Sequence, residues 1–171
     1  FPDAATSSDN IADMGYSFSL AHVVKTNYSV YGAPKWVVIF GNGYNSANGY
    51  AKLFILDALT GDPLIPPINT QVGSGNGLSS PAVVDVNNDF KVDYVYAGDL
   101  KGNMWKFDLT DANPANWGVA YKSGTTPMPL FQATAQPITT RPDVMWHPTE
   151  HGYMVVFGTG KYYDHSDRSD V

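Results

Sequence analysis

Along GNMWKFDLTD, residues 102–111, apolar and polar side chains alternate. Trp105, Phe107 and Leu109 fall on one face, and Met104, Lys106 and Asp108 on the other. A period of two is that of a β-strand whose two sides meet different surroundings. Strand-like runs of this kind recur in pairs. SLAHVV (19–24) precedes WVVIFGNG (36–43), SPAVVD (80–85) precedes DYVYAGD (93–99), and RPDVMW (141–146) precedes YMVVFGTG (153–160). Each pair reads as a short strand, a connection and an apolar strand ending in glycine, so that Gly41, Gly98 and Gly158 mark units of nearly equal length. YAKLFILDALTG (50–61) and the stretch 102–111 add a third strand to the first two units. No segment holds a sustained helical period. Short strands repeating at this spacing predict an all-β chain of propeller blades, each a small antiparallel sheet packed face to face with its neighbours.

The repeats place blades at roughly 14–72, 73–134 and 135–171, the last without its later strands. Propellers close with about four to eight blades, so two and a half predict an incomplete portion of one β-propeller domain, part of a larger protein. The first residues, FPDAATSSDN, carry neither Met nor a signal-peptide pattern, which agrees with that expectation.

Composition narrows the function. The 171 residues carry 10 Lys and Arg against 16 Asp and Glu, a net charge of −6. Without a basic cluster, nucleic acid and anionic membrane surfaces are not expected partners. The lack of Cys excludes disulfides, thiolate-bound zinc and a thiol nucleophile. No apolar run reaches the roughly 18 residues of a membrane span, and no Ser/His/Asp set or paired acid stands out, so no enzyme is expected.

Against this sparse charge, DVNNDFKVDY (85–94) concentrates oxygen side chains at alternate positions, Asp85, Asn87, Asp89 and Asp93. Calcium-binding loops supply ligands from positions 1, 3, 5, 7 and 9, the seventh through its main-chain carbonyl. Counted from Asp85, the seventh is Lys91, compatible if its ammonium points to water. Position 6 is Phe90 where such loops have Gly, position 12 is Tyr96 where they have Glu, and the flanks are strands. The expected cofactor is one Ca2+ held by Asp85, Asn87, Asp89, Lys91 and Asp93. The bland alternative is a polar turn with an Asx-turn at Asn87 or Asn88.

Other motifs carry less. HPTEH (147–151) matches an inverted zinc-protease signature, but Pro148, Gly152 and the following strand leave no room for the helix, and a hairpin loop is expected. GSGNG (73–77) precedes a strand and not the helix a phosphate loop needs, so it predicts a flexible link between blades. GNGYNSANGY (41–50) predicts a wide turn with exposed Tyr44 and Tyr50. Asp164, His165, Asp167 and Asp170 predict a solvated end.

GYSFSLAHVV, KWVVIFGNGYN, LFILDALTG, GLSSPAVVDVNNDFKVDYVYAGDLKGNMWKFDL, PLFQA, QPITTRPDV and VVFGTGKYY resemble, in that order, the C-terminal domain of type IV pilus tip-associated adhesins, the PilY/PilC-like family. The resemblance covers roughly residues 14–163. It implies a modified β-propeller at the bacterial cell surface, pilus tip or outer membrane, with one EF-hand-like calcium loop whose occupancy governs pilus extension against retraction. It also implies twitching motility, surface attachment, pilin or minor-pilin partners and a host or surface receptor. Carried over by position, Asp85, Asn87, Asp89 and Asp93 bind through side chains and Lys91 through its carbonyl. Phe90 departs from the Gly common after the third ligand. No Arg-Gly-Asp motif occurs, so adhesion by that route is not implied.

Two alternatives stay open. LDALTGDPLI (56–65) resembles the tryptophan-docking motif of quinoprotein dehydrogenases, with Ile65 in the Trp position. An integrin-like structural calcium propeller is the other, although that class repeats its loop and here only the second unit has one.

Overall fold

The computed structural model describes residues 12–162 and residue 167. The first sheet is built from the first unit: β1 (His22–Val30), β2 (Ala33–Gly41), β3 (Lys52–Asp57) and β4 (Ile68–Asn69), joined as consecutive antiparallel neighbours. Tyr31 and Gly32, with φ of 53° and 81°, turn β1 into β2. Positive φ at both central residues matches the twist of a two-residue hairpin.

The second unit supplies β5 (Ala82–Val84), β6 (Lys91–Val92), β7 (Tyr94–Gly98), β8 (Asn103–Asp108), β9 (Gly118–Val119), β10 (Tyr121–Ser123), β11 (Thr126–Met128) and β12 (Phe131–Gln132). Its main sheet runs β12-β8-β7-β5, with β9 on β8, while β10 and β11 form a separate hairpin. The third unit is the hairpin of β13 (Asp143–Trp146) and β14 (Tyr153–Val156). The strand pairs read from the alternation are thus present, in three successive small sheets.

The second sheet is apolar on both faces because each meets a different neighbour. Val95, Ala97, Trp105 and Phe107 join Val37, Ile39, Leu53 and Ile55 of the first sheet in one buried cluster. On the opposite face Tyr96 and Met104 meet Ile138, with Val144 and Val155 of the third hairpin against them. The predicted faces of β8 are therefore real, but Met104 is buried as completely as Trp105. Burial pushes the Tyr96 phenol up to about 12 on this side.

Stacking explains two of the three repeated glycines, Gly41 and Gly98, whereas a Cβ on Gly158 would meet only Thr140 Oγ1 at 4.0 Å. A Cβ on Gly41 would stand 2.2 Å from the Ser79 carbonyl oxygen, and one on Gly98 would stand 2.3 Å from Ile138 Cγ2. Each lies where the lead-in segment of the next unit crosses the end of an apolar strand, so a side chain there would hold the sheets apart.

Three expectations need correction. Tyr44 is buried, because the segment 41–50 folds under residues 15–17, where Tyr16 and Tyr44 form a bridge; Tyr50 alone of the two tyrosines is exposed. The link 73–77 is anchored and not a free tether: Asn76 is fully buried and donates to the Val72 carbonyl and the Asp99 carboxylate. The blade boundary near residue 73 is also crossed, since β6, from the second unit, adds in parallel to β1 of the first sheet. Of the tail residues, Asp164, His165 and Asp170 lie outside the described residues, while Asp167 is buried and pairs with Lys161 at 2.8 Å.

Candidate functional site

The aspartate loop leaves β5 at Val84 and returns through β6 into β7. Its alternating oxygens fold it locally. Asp85 Oδ1 accepts the backbone N–H groups of Asn87, Asn88 and Asp89 at 3.1, 2.7 and 3.3 Å, and Oδ2 accepts that of Phe90 at 2.7 Å. Asn87 Oδ1 then takes the Asp89 N–H at 2.9 Å, and Asp89 Oδ1 that of Lys91 at 3.0 Å. Each side chain bends the backbone two residues ahead of it, which is the geometry of an Asx-turn. The turn expected at Asn87 exists, nested between two others.

The wrapping requires left-handed backbone at Asn88 and Phe90, with φ of 64° and 65°. Asn tolerates this conformation; for Phe90 it costs roughly 1–2 kcal/mol. The Phe90 ring is 83% exposed, so the cost is backbone strain without a clash. The departure from Gly therefore leaves the loop's path intact.

Asp93 plays a different part from the others. It is buried, its Oδ2 accepts the Val86 N–H at 2.9 Å and its Oδ1 accepts Asn27 Nδ2 at 3.1 Å. The first bond closes the neck of the loop and the second ties it to the first sheet. Asn27 reaches it because the β1–β2 register shifts between Lys25 and Ser29, a bulge that re-aims the side chains within it. Beside the bulge, Lys25 and Thr26 pair with Lys91 and Val92. On its other flank the loop meets the third unit, where Tyr153 Oη donates to the Val86 carbonyl at 3.4 Å. The loop thus touches all three units.

Lys91 departs from the expected orientation. Its ammonium is not turned to water but pairs with Asp89 Oδ2 at 2.7 Å. That bond holds the Asp89 carboxyl below the usual carboxylate range. Lys35 does the same to Asp57. Both folded values lie below the ordinary 3.8, so both carboxylates stabilise the fold above that pH and cease to as pH falls through the lower folded values. Melting temperature should fall as pH is lowered below 3.8; a flat profile there would refute these pairings as contributors.

The donor set suits a hard cation: two carboxylates and an amide at the loop's surface and a main-chain carbonyl at Lys91. All are oxygen donors, as calcium requires. Among the described residues, however, no three Asp, Glu or His side chains stand together at metal-holding spacing, and Asp85 and Asp93 each turn both oxygens to protein N–H donors. Binding calls for the amide and carbonyl oxygens and for release of the ammonium.

The remaining motifs resolve simply. HPTEH forms the β13–β14 turn, where His147 Nδ1 accepts the Glu150 N–H at 2.9 Å. Buried polar side chains that belong to no sequence motif stand directly behind Gly41 and Gly98. Asn42, directly after Gly41, donates to the Asp13 and Tyr50 carbonyls and accepts from the backbone of Lys52 and Leu78. Asp99, directly after Gly98, accepts from Asn76, Asn103, Trp105 Nε1 and two backbone N–H groups. The signal was the Gly-Asn and Gly-Asp pair at matching points of two units.

Comparison with known proteins agrees with this architecture. The model of the PilY1 beta-propeller domain family matches residues 2–171. A type IV pilus biogenesis factor PilY1 homolog of Xylella fastidiosa is 40% identical over 178 residues, covering 95% of this chain and 12% of that protein. The type IV pilus biogenesis factor PilY1 of Pseudomonas aeruginosa strain PAO1 is 40% identical over 182 residues, covering 95% of this chain and 15% of that protein. The crystal structure of the Pseudomonas aeruginosa PilY1 C-terminal domain superposes with a TM-score of 0.79 at 38% identity, over 94% of this chain and 36% of that one. The chain therefore spans a small part of its relatives' length, and no described helix is long and apolar enough to cross a membrane. With three stacked units of small sheets and a family match along almost its whole length, the chain belongs to the PilY1 β-propeller domain family.

Proposed function

We propose that this chain is the calcium-responsive part of a type IV pilus biogenesis factor at the cell surface or pilus tip. In this reading, occupancy of the loop 85–93 biases pilus extension against retraction and surface attachment. The observation that carries it is the loop's placement: one all-oxygen loop whose closing residues, β6 and Asp93, are shared with the first sheet and whose neck touches the third unit. A bound calcium ion would neutralise clustered carboxylates. The chain's own residues do the rest. Asp85 and Asn87 order the backbone beneath the site, Lys91 offers its carbonyl from β6, and Asp93 and Asn27 pass the loop's order to β1. Surfaces formed by the ordered loop would meet pilin or minor-pilin components or a surface receptor.

Calcium should bind one to one, with magnesium much weaker because the flexible loop suits calcium's loose sphere better than a rigid octahedron. Ligation of the folded form would add about 2.7 kcal/mol at one hundred times the dissociation constant. Calorimetry should show binding in the unmodified chain and none in Asp85→Ala or Asp89→Ala. No heat at millimolar calcium would refute the site. If Asp85→Ala in the full-length protein abolishes binding yet leaves piliation and twitching unchanged, the loop serves structure alone.

A further inference from the structure

We infer that Lys91 is a tethered competitor for the cation site, pairing with Asp89 against calcium and setting the calcium concentration at which the loop responds. The inference rests on the calcium reading above and concerns only how that site is tuned.

The geometry gives one residue control of a whole carboxylate. Asp89 Oδ1 accepts the Lys91 backbone N–H at 3.0 Å, and Oδ2 accepts the Lys91 ammonium at 2.7 Å. The first bond belongs to the loop's fold and persists whatever binds. The second is the one a divalent ion must replace, since Asp89 offers Oδ2 only when the ammonium leaves.

The competitor also cannot drift away. Lys91 begins β6, and its backbone is registered against Lys25 on β1, so the ammonium swings from a fixed anchor at a short stem's length from Asp89. A tethered group acts at an effective concentration of millimolar or more. Other cations near the loop are engaged elsewhere: Lys25 lies over the Trp36 ring at 5.3 Å from its centroid, and Lys35 pairs with Asp57.

Two consequences follow. Removing the charge while keeping the carbonyl should tighten calcium binding, about two- to fivefold for a partly exposed pair of this kind. Calcium should also free the ammonium. Both are measurable on the 171-residue chain with calcium chloride as the probe. In calorimetric titration, Lys91→Gln should bind about two- to fivefold tighter than the unmodified chain, while Lys91→Arg should stay close to it. In the unmodified chain, acylation of Lys91 by a succinimidyl ester, read by peptide mass spectrometry, should rise with calcium while that of exposed Lys101 stays constant. Equal or weaker binding by Lys91→Gln, or Lys91 labelling that does not respond to calcium, overturns the competitor and leaves the site standing. Absence of binding in all three proteins overturns the site itself, and the competitor with it.

Discussion

Asp99→Ala is expected to cost about 3–5 kcal/mol, because several buried N–H donors would lose their acceptor at roughly 1–3 kcal/mol each, partly offset by relaxation. Against a total stability of about 5–15 kcal/mol, that is a large share of the margin that keeps the protein folded. Asp99 is fully buried, and its two oxygens take the side-chain N–H groups of Asn76, Asn103 and Trp105 together with the backbone N–H groups of Lys101 and Asn103. Alanine would leave those donors without an acceptor in a place water does not reach, and each orphaned donor carries its own desolvation penalty. The carboxylate also joins elements far apart in sequence: the link before the second unit through Asn76, and the core strand β8 through Trp105. Asp99→Asn keeps the shape but turns an amide donor toward other donors, and should recover only part of the loss. Urea unfolding followed by tryptophan fluorescence measures both variants. A loss under about 1 kcal/mol for Asp99→Ala would mean the donors find other acceptors, and the network would not be what orders the junction.

That hub was legible in the sequence only in hindsight, and the reason is physical. Alternation revealed the strands of all three units because burial on one face imposes a period of two, as at Trp105, Phe107 and Leu109. The glycines were legible because they recur, and for Gly41 and Gly98 close approach to Ser79 and Ile138 is the reason. A buried acceptor has no period. Asp99 reads in sequence as one more turn aspartate, since its donors come from residues 76, 101, 103 and 105, and only the fold brings Asn76 to it.

The loop shows the same division. Its local wrapping was written in the spacing of Asp85, Asn87 and Asp89, each acting on backbone within five residues. Its long-range anchoring was not. Two residues of parallel pairing between β6 and β1 leave no pattern, and the bulge that turns Asn27 toward Asp93 depends on a register shift that neither strand announces alone. The orientation of Lys91 was hidden for a related reason: a long side chain beside a carboxylate reaches either it or water, and strand register fixes the geometry that decides.

This division yields the second large effect. Asp93→Ala is expected to destabilise the protein by about 2–4 kcal/mol in the presence of a chelator, where no ion contributes. The Asp93 carboxylate is 2% exposed and accepts from Val86 N–H and Asn27 Nδ2, so its loss would orphan a donor on each side of the junction between the first two sheets. Asp85→Ala offers the contrast. Asp85 accepts four backbone N–H groups, but the loop around it is exposed, and water can replace the carboxylate at a cost of about 1 kcal/mol. Melting both variants in chelator and again in calcium separates the two roles. Asp93→Ala should lose stability in both conditions, whereas Asp85→Ala should melt near the unmodified protein in chelator and fail to gain from calcium. If Asp93→Ala melts like the unmodified protein in chelator, its two bonds do not hold the junction, and its place in the loop would be that of an ordinary ligand. The outcome governs how pilus phenotypes are to be read: substitutions at Asp93 change the scaffold and the loop together, so the role of the ion is isolated by substitutions at Asp85 and Asp89, whose partners lie within the loop itself.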